Sequence, residues 1–353
     1  MKILMTGPNN DPAKSLGGIV TVINMILNNK SHPTDFFDRD LGSSGKLKTW
    51  WRKVNQFRQS ISKERYDLIH FHFSFDKKSV VREFIYLYLA KKKGIPFIVH
   101  FHGGSLAYQK SHSWMVGWLL AAANQLIVLN EDEKESIQRL YQVAPEKVLI
   151  LRNCIDFGEI PSFTRADSAA YNRIIYFGRL HMPKGLKEIV EALKILKAKQ
   201  IPFKMEVYGS GPDEAWFLDA LKEHVGDAFE YKGVVWGKEK WHSLNNSDIF
   251  LLPSHGEGMP MALLEAMALG KTVVVSDVDA FKKVVIDKEN GFLARQRSAD
   301  DLARSLELVL LNPADQQEVG KKAKQTIEKE YSSDYYIKSL GSVYNSLLAN
   351  AIS

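Results

Sequence analysis

Residues 249–277 read IFLLPSHGEGMPMALLEAMALGKTVVVSD, and the pattern alternates between strand and helix signals. The apolar runs at 249–253 and 272–277 predict two buried strands, and residues 260–269 predict a helix between them. Pro260 suits the first helical position, and Gly270 suits the position just past the helix end. A strand, a helix and a second strand in this order predict an α/β fold with a parallel sheet.

The same alternation runs along all 353 residues in two series. The predicted strands of the first series are 2–7, 68–73, 97–102, 125–130 and 148–153, and those of the second are 173–179, 204–209, 229–232, 249–253 and 272–277. The stretch 156–172 has Gly, Pro and Ser but no periodicity, which is typical of a linker.

We therefore expect two doubly wound domains, at 1–160 and 161–332, and a helix at 333–353 that returns to the first domain. Ligands of such sheets bind beyond the carboxyl ends of the strands. Two such domains facing each other would hold the site in the cleft between them.

The composition is that of an ordinary globular protein, with 45% apolar and 25% charged residues. The single cysteine, Cys154, excludes an intrachain disulfide and a thiolate metal cluster, and it suits a reducing, cytoplasmic compartment. The N-terminal apolar run is too short for a signal peptide. The uncharged stretch 111–130 is better explained by a helix followed by a strand than by a membrane span.

The net charge of +6 is distributed unevenly. Residues 1–163 carry 22 Lys and Arg against 15 Asp and Glu, whereas residues 164–353 carry 25 against 26. A basic first half suggests an anionic partner, which would be a nucleic acid, a phosphorylated ligand or a membrane. An ordinary Lys-rich surface is the alternative explanation.

Glu257 and Glu265 are the strongest candidates for ligand contacts. Glu257 lies in the loop before a predicted helix, and Glu265 lies more than one turn inside the same helix. The free N–H groups of the first turn form a natural anion site, and a carboxylate beside them can accept hydrogen bonds from sugar or ribose hydroxyls. Because the helix is otherwise largely apolar, a glutamate inside it requires a partner.

Three glycine-containing turns follow predicted strands. Arg179 ends the predicted strand 173–179 and Lys184 lies in the turn after it, where a guanidinium and an ammonium suit a diphosphate. The pair Gly17 and Gly18 opens a helix after the first strand, where the backbone can approach a phosphate. The turn containing Gly211 lacks the third glycine of a dinucleotide fingerprint, which argues against a nicotinamide-dependent oxidoreductase.

Together these residues resemble the retaining GT-B glycosyltransferases of glycosyltransferase family 4 (glycosyl transferases group 1), over nearly the whole chain. The motifs that carry the resemblance are Glu257 with Glu265, Arg179 with Lys184, Gly17-Gly18, His102-Gly103 and Asn153-Cys-Ile-Asp156. Cys154 stands where the family usually has glycine.

The resemblance implies a GT-B fold of two Rossmann-like domains and a metal-independent, retaining transfer. It implies a UDP- or GDP-linked sugar as co-substrate, no cofactor, and a glycan or lipid-linked acceptor in surface polysaccharide or glycolipid synthesis. Glu257 would contact the donor sugar, Arg179 and Lys184 the diphosphate, and His102 the region of the transferred sugar. The donor-binding residues that the resemblance implies are Gly17, Gly18, Gly211, Val235, Gly258, Met259, Pro260 and Glu265.

The stretch 46–61 has apolar residues at helical spacing, and its other residues are basic or polar with no acid. This pattern fits an interfacial helix on anionic lipid at the inner face of the cell membrane, although a stripe that packs on its own sheet is the alternative. The residues assigned to this membrane or acceptor side are Lys46, Lys48, Trp50, Trp51, Arg52, Lys53 and Arg58.

Two motifs resemble metal sites, but we predict no metal. Asp277 and Asp279 look like an Asp-x-Asp motif, and we interpret them as a turn. The pairs His70-x-His72 and His100-x-His102 each lie on one face of a strand. We expect His102 to serve the donor site and the other three histidines to pack or to line the cleft, and a zinc site is the less favoured alternative.

Three other functions remain as rivals. They are a nucleotide-sugar epimerase of the same fold, a nicotinamide-dependent oxidoreductase, and a nucleic-acid binder suggested by the basic half. We favour the transferase and expect no nucleic acid partner.

Overall fold

The computed structural model describes residues 1–11, 18–29, 31–40, 47–163 and 172–352. The chain divides into two compact units, Met1–Asn153 with Ser333–Ser353 and Cys154–Ser332. Each unit is built on one six-stranded sheet, and within the described residues every strand pair is parallel. The predicted α/β class, with two doubly wound domains, is confirmed.

The sheet of the first unit has the order β2-β1-β3-β4-β5-β6. Its strands are β1 (Ile3–Gly7), β2 (Thr34–Asp38), β3 (Leu68–Phe73), β4 (Phe97–Phe101), β5 (Gln125–Val128) and β6 (Val148–Ile150). Its helices are α1 (Gly18–Asn28), α2 (Leu47–Lys63), α3 (Lys77–Lys92), α4 (Trp114–Ala122), α5 (Glu131–Tyr141) and α13 (Ser333–Ile352).

Alternation along the strands gives the first sheet two different faces. Ile69, Phe71 and Phe73 of β3 point into the apolar core that α2, α3, α4 and α5 cover. His70 and His72 point to the opposite face, where His70 contacts Tyr344 of α13.

The sheet of the second unit has the order β12-β11-β10-β7-β8-β9. Its strands are β7 (Arg173–Phe177), β8 (Lys204–Tyr208), β9 (Phe229–Gly233), β10 (Ile249–Leu252), β11 (Thr272–Ser276) and β12 (Phe292–Ala294). Its helices are α6 (Leu186–Ala198), α7 (Glu214–His224), α8 (Gly237–Asn245), α9 (Met261–Ala268), α10 (Asp279–Lys282), α11 (Ala299–Leu311) and α12 (Pro313–Glu330).

The sequence pattern missed two strands, β2 and β12, which lie at sheet edges. The β2 segment reads TDFFD and has no fully buried residue, so its polar ends hide the strand signal. The β12 strand has only three residues. Among the described residues, no helix is both long enough and apolar enough to cross a membrane.

Candidate active site

The two loops that carry the strongest motifs lie side by side in the second unit. Strands β7 and β10 are neighbours in the sheet, although β8 and β9 come between them in the chain. The chain therefore winds outward in opposite directions from this pair, which makes it the topological switch point of the sheet. The loops 178–185 and 253–260 leave the carboxyl ends of these two strands, where open α/β sheets bind their ligands.

Close backbone contacts fix the positions of these loops. Gly185 has φ +79°, and a Cβ there would lie 2.1 Å from the Pro253 carbonyl oxygen, so only glycine suits this approach. A Cβ on Gly211 would lie 2.1 Å from the Leu180 carbonyl oxygen. The loop after β8 is thus packed against the loop after β7, which gives the predicted residue Gly211 a structural role at this edge.

Lys184 and Glu257 contact each other across the switch point. The Lys184 Nζ donates a hydrogen bond to Glu257 Oε1, and the Ser254 hydroxyl donates to the same oxygen at 2.7 Å. The Glu257 side chain is only 10% exposed. The cation expected at the diphosphate and the carboxylate expected at the sugar therefore form one ion pair.

Helix α9 begins four residues after Glu257, and the position predicted for Pro260 in this helix is wrong. Pro260 is the residue before the first helical position, with φ −74° and ψ 122°, and α9 starts at Met261. Since proline has no N–H, Pro260 cannot donate to an anion. The first backbone hydrogen bonds of the helix run from the N–H groups of Leu263 and Leu264 to the Pro260 carbonyl. The N–H groups of Met261 and Ala262 therefore have no acceptor within the helix.

Glu265 lies inside α9 and has the partner that its burial requires. The residue is 2% exposed, and its Oε1 accepts a hydrogen bond from Lys240 Nζ of α8 at 2.5 Å. The ammonium also lies 5.5 Å from the centre of the Trp241 ring. No sequence motif identified Lys240, because its contact with Glu265 depends on the packing of α8 against α9.

Two family models match the two halves of the chain. "Glycosyltransferase Family 4" matches residues 27–159, and "Glycosyl transferases group 1" matches residues 163–326. The chain is a GT-B glycosyltransferase that resembles glycosyltransferase family 4.

Named relatives of this glycosyltransferase are distant. A glycogen synthase of Mycobacterium tuberculosis is 26% identical over 64% of the chain, and the match spans 55% of the length of that relative. An Escherichia coli UDP-Gal:alpha-D-GlcNAc-diphosphoundecaprenol alpha-1,3-galactosyltransferase is 27% identical over 80% of the chain and 79% of its own length.

Solved structures show the same fold at low identity. A sucrose-phosphate synthase from Thermosynechococcus elongatus has a TM-score of 0.81 at 17% identity, over 99% of this chain and 100% of the other. Anabaena HepE in complex with UDP-glucose has a TM-score of 0.76 at 15% identity, over 98% and 100%. These likenesses confirm the two-domain GT-B fold.

The other predicted donor residues of the glycosyltransferase lie after the carboxyl ends of strands in the second unit or in its first unit. Arg179 follows β7, its side chain is exposed, and it has no acidic partner among the described residues. Val235 is buried just after β9. Gly258 and Met259 lie in the loop before α9, Gly18 begins α1, and Gly17 lies outside the described residues.

His102 follows β4 in the first unit and is held by a second histidine. Its Nε2 lies 2.9 Å from Nδ1 of His72. Burial lowers the pKa of His102 to about 3, so the imidazole is neutral near pH 7. Arg39 donates to the His72 carbonyl at 2.8 Å, which fixes the strand that presents this pair.

The packing of helix α2 contradicts part of the membrane prediction. Its stripe of Val54, Phe57 and Ile61 is buried against the sheet, because these side chains complete the apolar core of the first unit. Trp50 is partly buried against the same core, whereas Trp51 is 50% exposed. The expectation that this stripe faces lipid is therefore wrong for Val54, Phe57 and Ile61.

The cations assigned to the membrane side also differ from one another. Lys53 binds the Asp38 carboxylate at 3.1 Å. Lys48, Arg52 and Arg58 are exposed, and Lys46 lies outside the described residues.

Asp277 and Asp279 do not share a site. Asp277 Oδ1 accepts a hydrogen bond from the Gln296 backbone N–H at 2.7 Å. Asp279 is paired with Lys282 at 2.8 Å. Each carboxylate has its own partner, which lies after β12 for Asp277 and within α10 for Asp279.

Two further residues near the switch point were not anticipated. His255 Nε2 lies 3.0 Å from Glu188 Oε1. The backbone N–H of His255 donates a hydrogen bond to the Pro183 carbonyl at 2.8 Å. They join the loop after β10 to the turn that contains Lys184. The only sequence signal for them is their position directly after the predicted strand and turn.

Proposed function

We propose that this glycosyltransferase moves a sugar from a UDP- or GDP-linked donor to a glycan or lipid-linked acceptor, with retention at the anomeric carbon. The observation that carries the proposal is the contact of Lys184 with Glu257 at the switch point. It brings a cation suited to a diphosphate next to a carboxylate suited to sugar hydroxyls.

Glu257 has one oxygen for its protein partners and one for a ligand. Oε1 accepts hydrogen bonds from Lys184 and Ser254. Among the described residues, Oε2 has no hydrogen-bond partner. We assign Oε2 to hydroxyls of the donor sugar, with the ion pair holding the carboxylate in its orientation.

The departing diphosphate would be stabilised by fixed charge. Lys184 and Arg179 supply two cations from one turn, and the N–H groups of Met261 and Ala262 supply the start of α9. Preorganised donors of this kind lower the barrier where negative charge develops on a leaving group. We therefore propose that transfer requires no divalent cation at the diphosphate.

Glu265 and Val235 would bind the nucleoside. One oxygen of Glu265 is held by Lys240, and we assign the other to a ribose hydroxyl. We assign the backbone beside Val235, after β9, to the base. The similarity to HepE, whose structure contains UDP-glucose, and to a relative that uses UDP-Gal supports a UDP-linked donor over a GDP-linked one.

The names of relatives support a role in surface polysaccharide or glycolipid synthesis. They include a capsular polysaccharide transferase of Staphylococcus aureus, 24% identical, and an amylovoran transferase of Erwinia amylovora, 31% identical over half of the chain. The Escherichia coli galactosyltransferase acts on a diphosphoundecaprenol substrate, according to its name. A lipid-linked acceptor would require this protein to work at a membrane.

The first unit has a surface suited to that task, which we call the α2–α4 face. Helix α2 packs against α3, and α3 packs against α4. The exposed apolar side chains of these helices are Leu47, Trp51, Val81, Tyr88 and Trp114. The exposed cations of α2 and α3 include Lys48, Arg52, Arg58, Lys77, Lys78, Arg82, Lys91 and Lys92.

Aromatic rings join α3 to α4 on this face. The ring of Phe84 lies 5.0 Å from those of Trp114 and Trp118. Aromatic rings settle at lipid headgroups, and Lys and Arg are attracted to anionic lipid. We propose peripheral attachment of this face to the anionic cytoplasmic leaflet.

A product assay tests the transferase proposal. The protein is incubated with UDP- and GDP-sugars and membrane extract, and the product is identified by NMR. We expect a new glycoside with the anomeric configuration of the donor. An inverted glycoside would contradict retention, and an epimerised nucleotide sugar without any glycoside would contradict transfer.

A further inference from the structure

Three histidines form a buried cluster in the first unit, and none of them is assigned a contact with the donor or the acceptor. His70 and His72 lie on β3, His100 lies on β4, and the sheet register places His72 opposite His100. All three are 0% exposed. Their ring centres are 4.0, 5.0 and 5.5 Å apart.

Most of the ring nitrogens in this cluster lack partners. Within the part of the chain that the structure describes, no hydrogen bond reaches Nε2 of His70, Nε2 of His72, or either nitrogen of His100. Buried polar atoms are nearly always paired, since an unpaired one loses its hydration without compensation. These nitrogens therefore require a partner that the described residues do not supply.

The nitrogens that do have partners are on the opposite sides of the rings. His70 Nδ1 lies 2.7 Å from the Tyr344 hydroxyl, and His72 Nδ1 lies 2.9 Å from His102 Nε2. Histidines that bind a metal through one nitrogen are typically held through the other in this way. The Nε2 atoms of His70 and His72 are thus both oriented and available.

We propose that His70, His72 and His100 form a buried zinc site. One nitrogen of each ring lies within 4.8 Å of the other two. Ligands of a tetrahedral zinc with Zn–N bonds of about 2.0–2.1 Å stand about 3.3 Å apart, so the rings would have to rotate until these separations shorten by up to about 1.5 Å. Three imidazoles leave the fourth position for a water molecule.

The protonation state of the cluster agrees with this assignment. Burial lowers the pKa of His70 to about 3, and burial together with the neighbouring imidazoles lowers the pKa values of His72 and His100. The rings are therefore neutral near pH 7, which is the form that binds metal. Because the site is fully buried, the ion would enter as the chain folds.

The site would join β3 and β4 to the C-terminal helix. His70 contacts Tyr344 of α13, and the ring of His100 is stacked with that of Tyr336 at 6.5 Å. A metal that fixes these imidazoles would also fix α13 on the sheet. This role does not depend on the sugar, the nucleotide or the acceptor.

The test measures metal content in the full-length protein. The protein is purified from zinc-supplemented cells, and zinc per chain is measured by mass spectrometry. A second sample is unfolded, freed of metal and refolded with Co²⁺, and its visible spectrum reports tetrahedral coordination. The proposal expects about one ion per chain, the cobalt spectrum, and a lower melting temperature after refolding without metal.

His100→Phe is the decisive variant, because neither nitrogen of His100 has a hydrogen-bond partner to lose. It should lose at least nine-tenths of the zinc. His32→Phe is the matched control, since His32 contacts Tyr344 from outside the cluster at 5.5 Å, and it should keep the ion.

Two results would overturn the zinc site. One is a parent protein without zinc or a cobalt spectrum, in which case buried water satisfies the nitrogens. The other is a His100→Phe variant that binds as much metal as the parent. If His100→Phe does not fold, the metal content and the cobalt spectrum of the parent protein decide whether the zinc site exists.

Discussion

Lys184 and Glu257 are 73 positions apart in the chain, yet their side chains are hydrogen bonded where the loops after β7 and β10 meet. Ser254 donates to the same Glu257 oxygen. The pair lies at the switch point of a parallel sheet, beside the start of α9. In the proposed reaction, the carboxylate orients the sugar and the ammonium stabilises the departing phosphate.

Replacing Glu257 should impair turnover more than folding. Glu257→Gln keeps the shape of the side chain but removes its negative charge. That charge holds Lys184, and we expect the carboxylate to accept a hydrogen bond from a sugar hydroxyl. Since a hydrogen bond to a charged group contributes about 1.5–3 kcal/mol, we expect turnover to fall roughly 10- to 100-fold. Glu191→Gln, on the exposed side of α6, is the control, and a Glu257→Gln rate within twofold of the parent would refute the assignment.

The Lys240–Glu265 pair should matter for stability. Lys240→Met leaves the buried Glu265 carboxylate without its cation, and breaking a buried pair costs about 3–5 kcal/mol. Denaturant unfolding should show this loss, and the double variant Lys240→Met/Glu265→Gln should recover part of it, because the remaining amide is neutral. Lys238→Met is the exposed control on the same helix. Equal stabilities of parent and Lys240→Met would show that the pair contributes nothing.

Transfer should continue without Mg²⁺ or Mn²⁺. Lys184, Arg179 and the N–H groups at the start of α9 can balance the diphosphate charge without a cation. Initial rates in excess EDTA should stay within twofold of the untreated rate. The melting temperature is followed in the same samples, so that loss of a structural metal is not mistaken for loss of a catalytic one. An activity that EDTA abolishes and Mn²⁺ restores, at constant melting temperature, would contradict the prediction.

The α2–α4 face should bind anionic vesicles through exposed residues only. Replacing Trp51 with Ala, or Lys48, Arg52 and Arg58 with Gln, should reduce sedimentation with phosphatidylglycerol vesicles and leave the melting temperature almost unchanged. Binding by the parent should weaken sharply as salt is raised.

Two tryptophans serve as controls for the membrane prediction. Trp50→Ala should lower the free energy of unfolding by about 1–3 kcal/mol, because Trp50 packs against the core. Trp216→Ala removes an exposed tryptophan of the second unit and should not change vesicle binding. Equal sedimentation with neutral and anionic vesicles, or none with either, would exclude an electrostatic attachment.

The regular elements were predictable from sequence because buried parallel strands are short apolar runs. Strand β3 begins and ends where the pattern placed it, at Leu68 and Phe73. The edge strands β2 and β12 escaped detection because one is polar at its ends and the other is very short. Pro260 was misplaced by one residue, since proline suits both the first helical position and the one before it.

The partners of the candidate site residues were less predictable. The sequence pattern suggested that Glu265 needs a partner, but it did not identify Lys240, which packing of α8 on α9 supplies. Trp50 and Trp51 are adjacent, and only the packing of α2 shows which ring is the more exposed. Local patterns report which residues are unusual, whereas contacts between distant segments decide what they do.

Nucleotide binding by the Lys184→Met variant shows whether Lys184 belongs to the donor site. Calorimetric titration with UDP, GDP and their sugars is compared among the parent, Lys184→Met and Lys187→Met, an exposed lysine on the following helix. We predict that the parent binds a nucleoside diphosphate, that Lys184→Met weakens this binding at least tenfold, and that Lys187→Met changes it less than twofold. A parent that binds none of these nucleotides, or a Lys184→Met variant that binds as tightly as the parent, would contradict the proposed donor site.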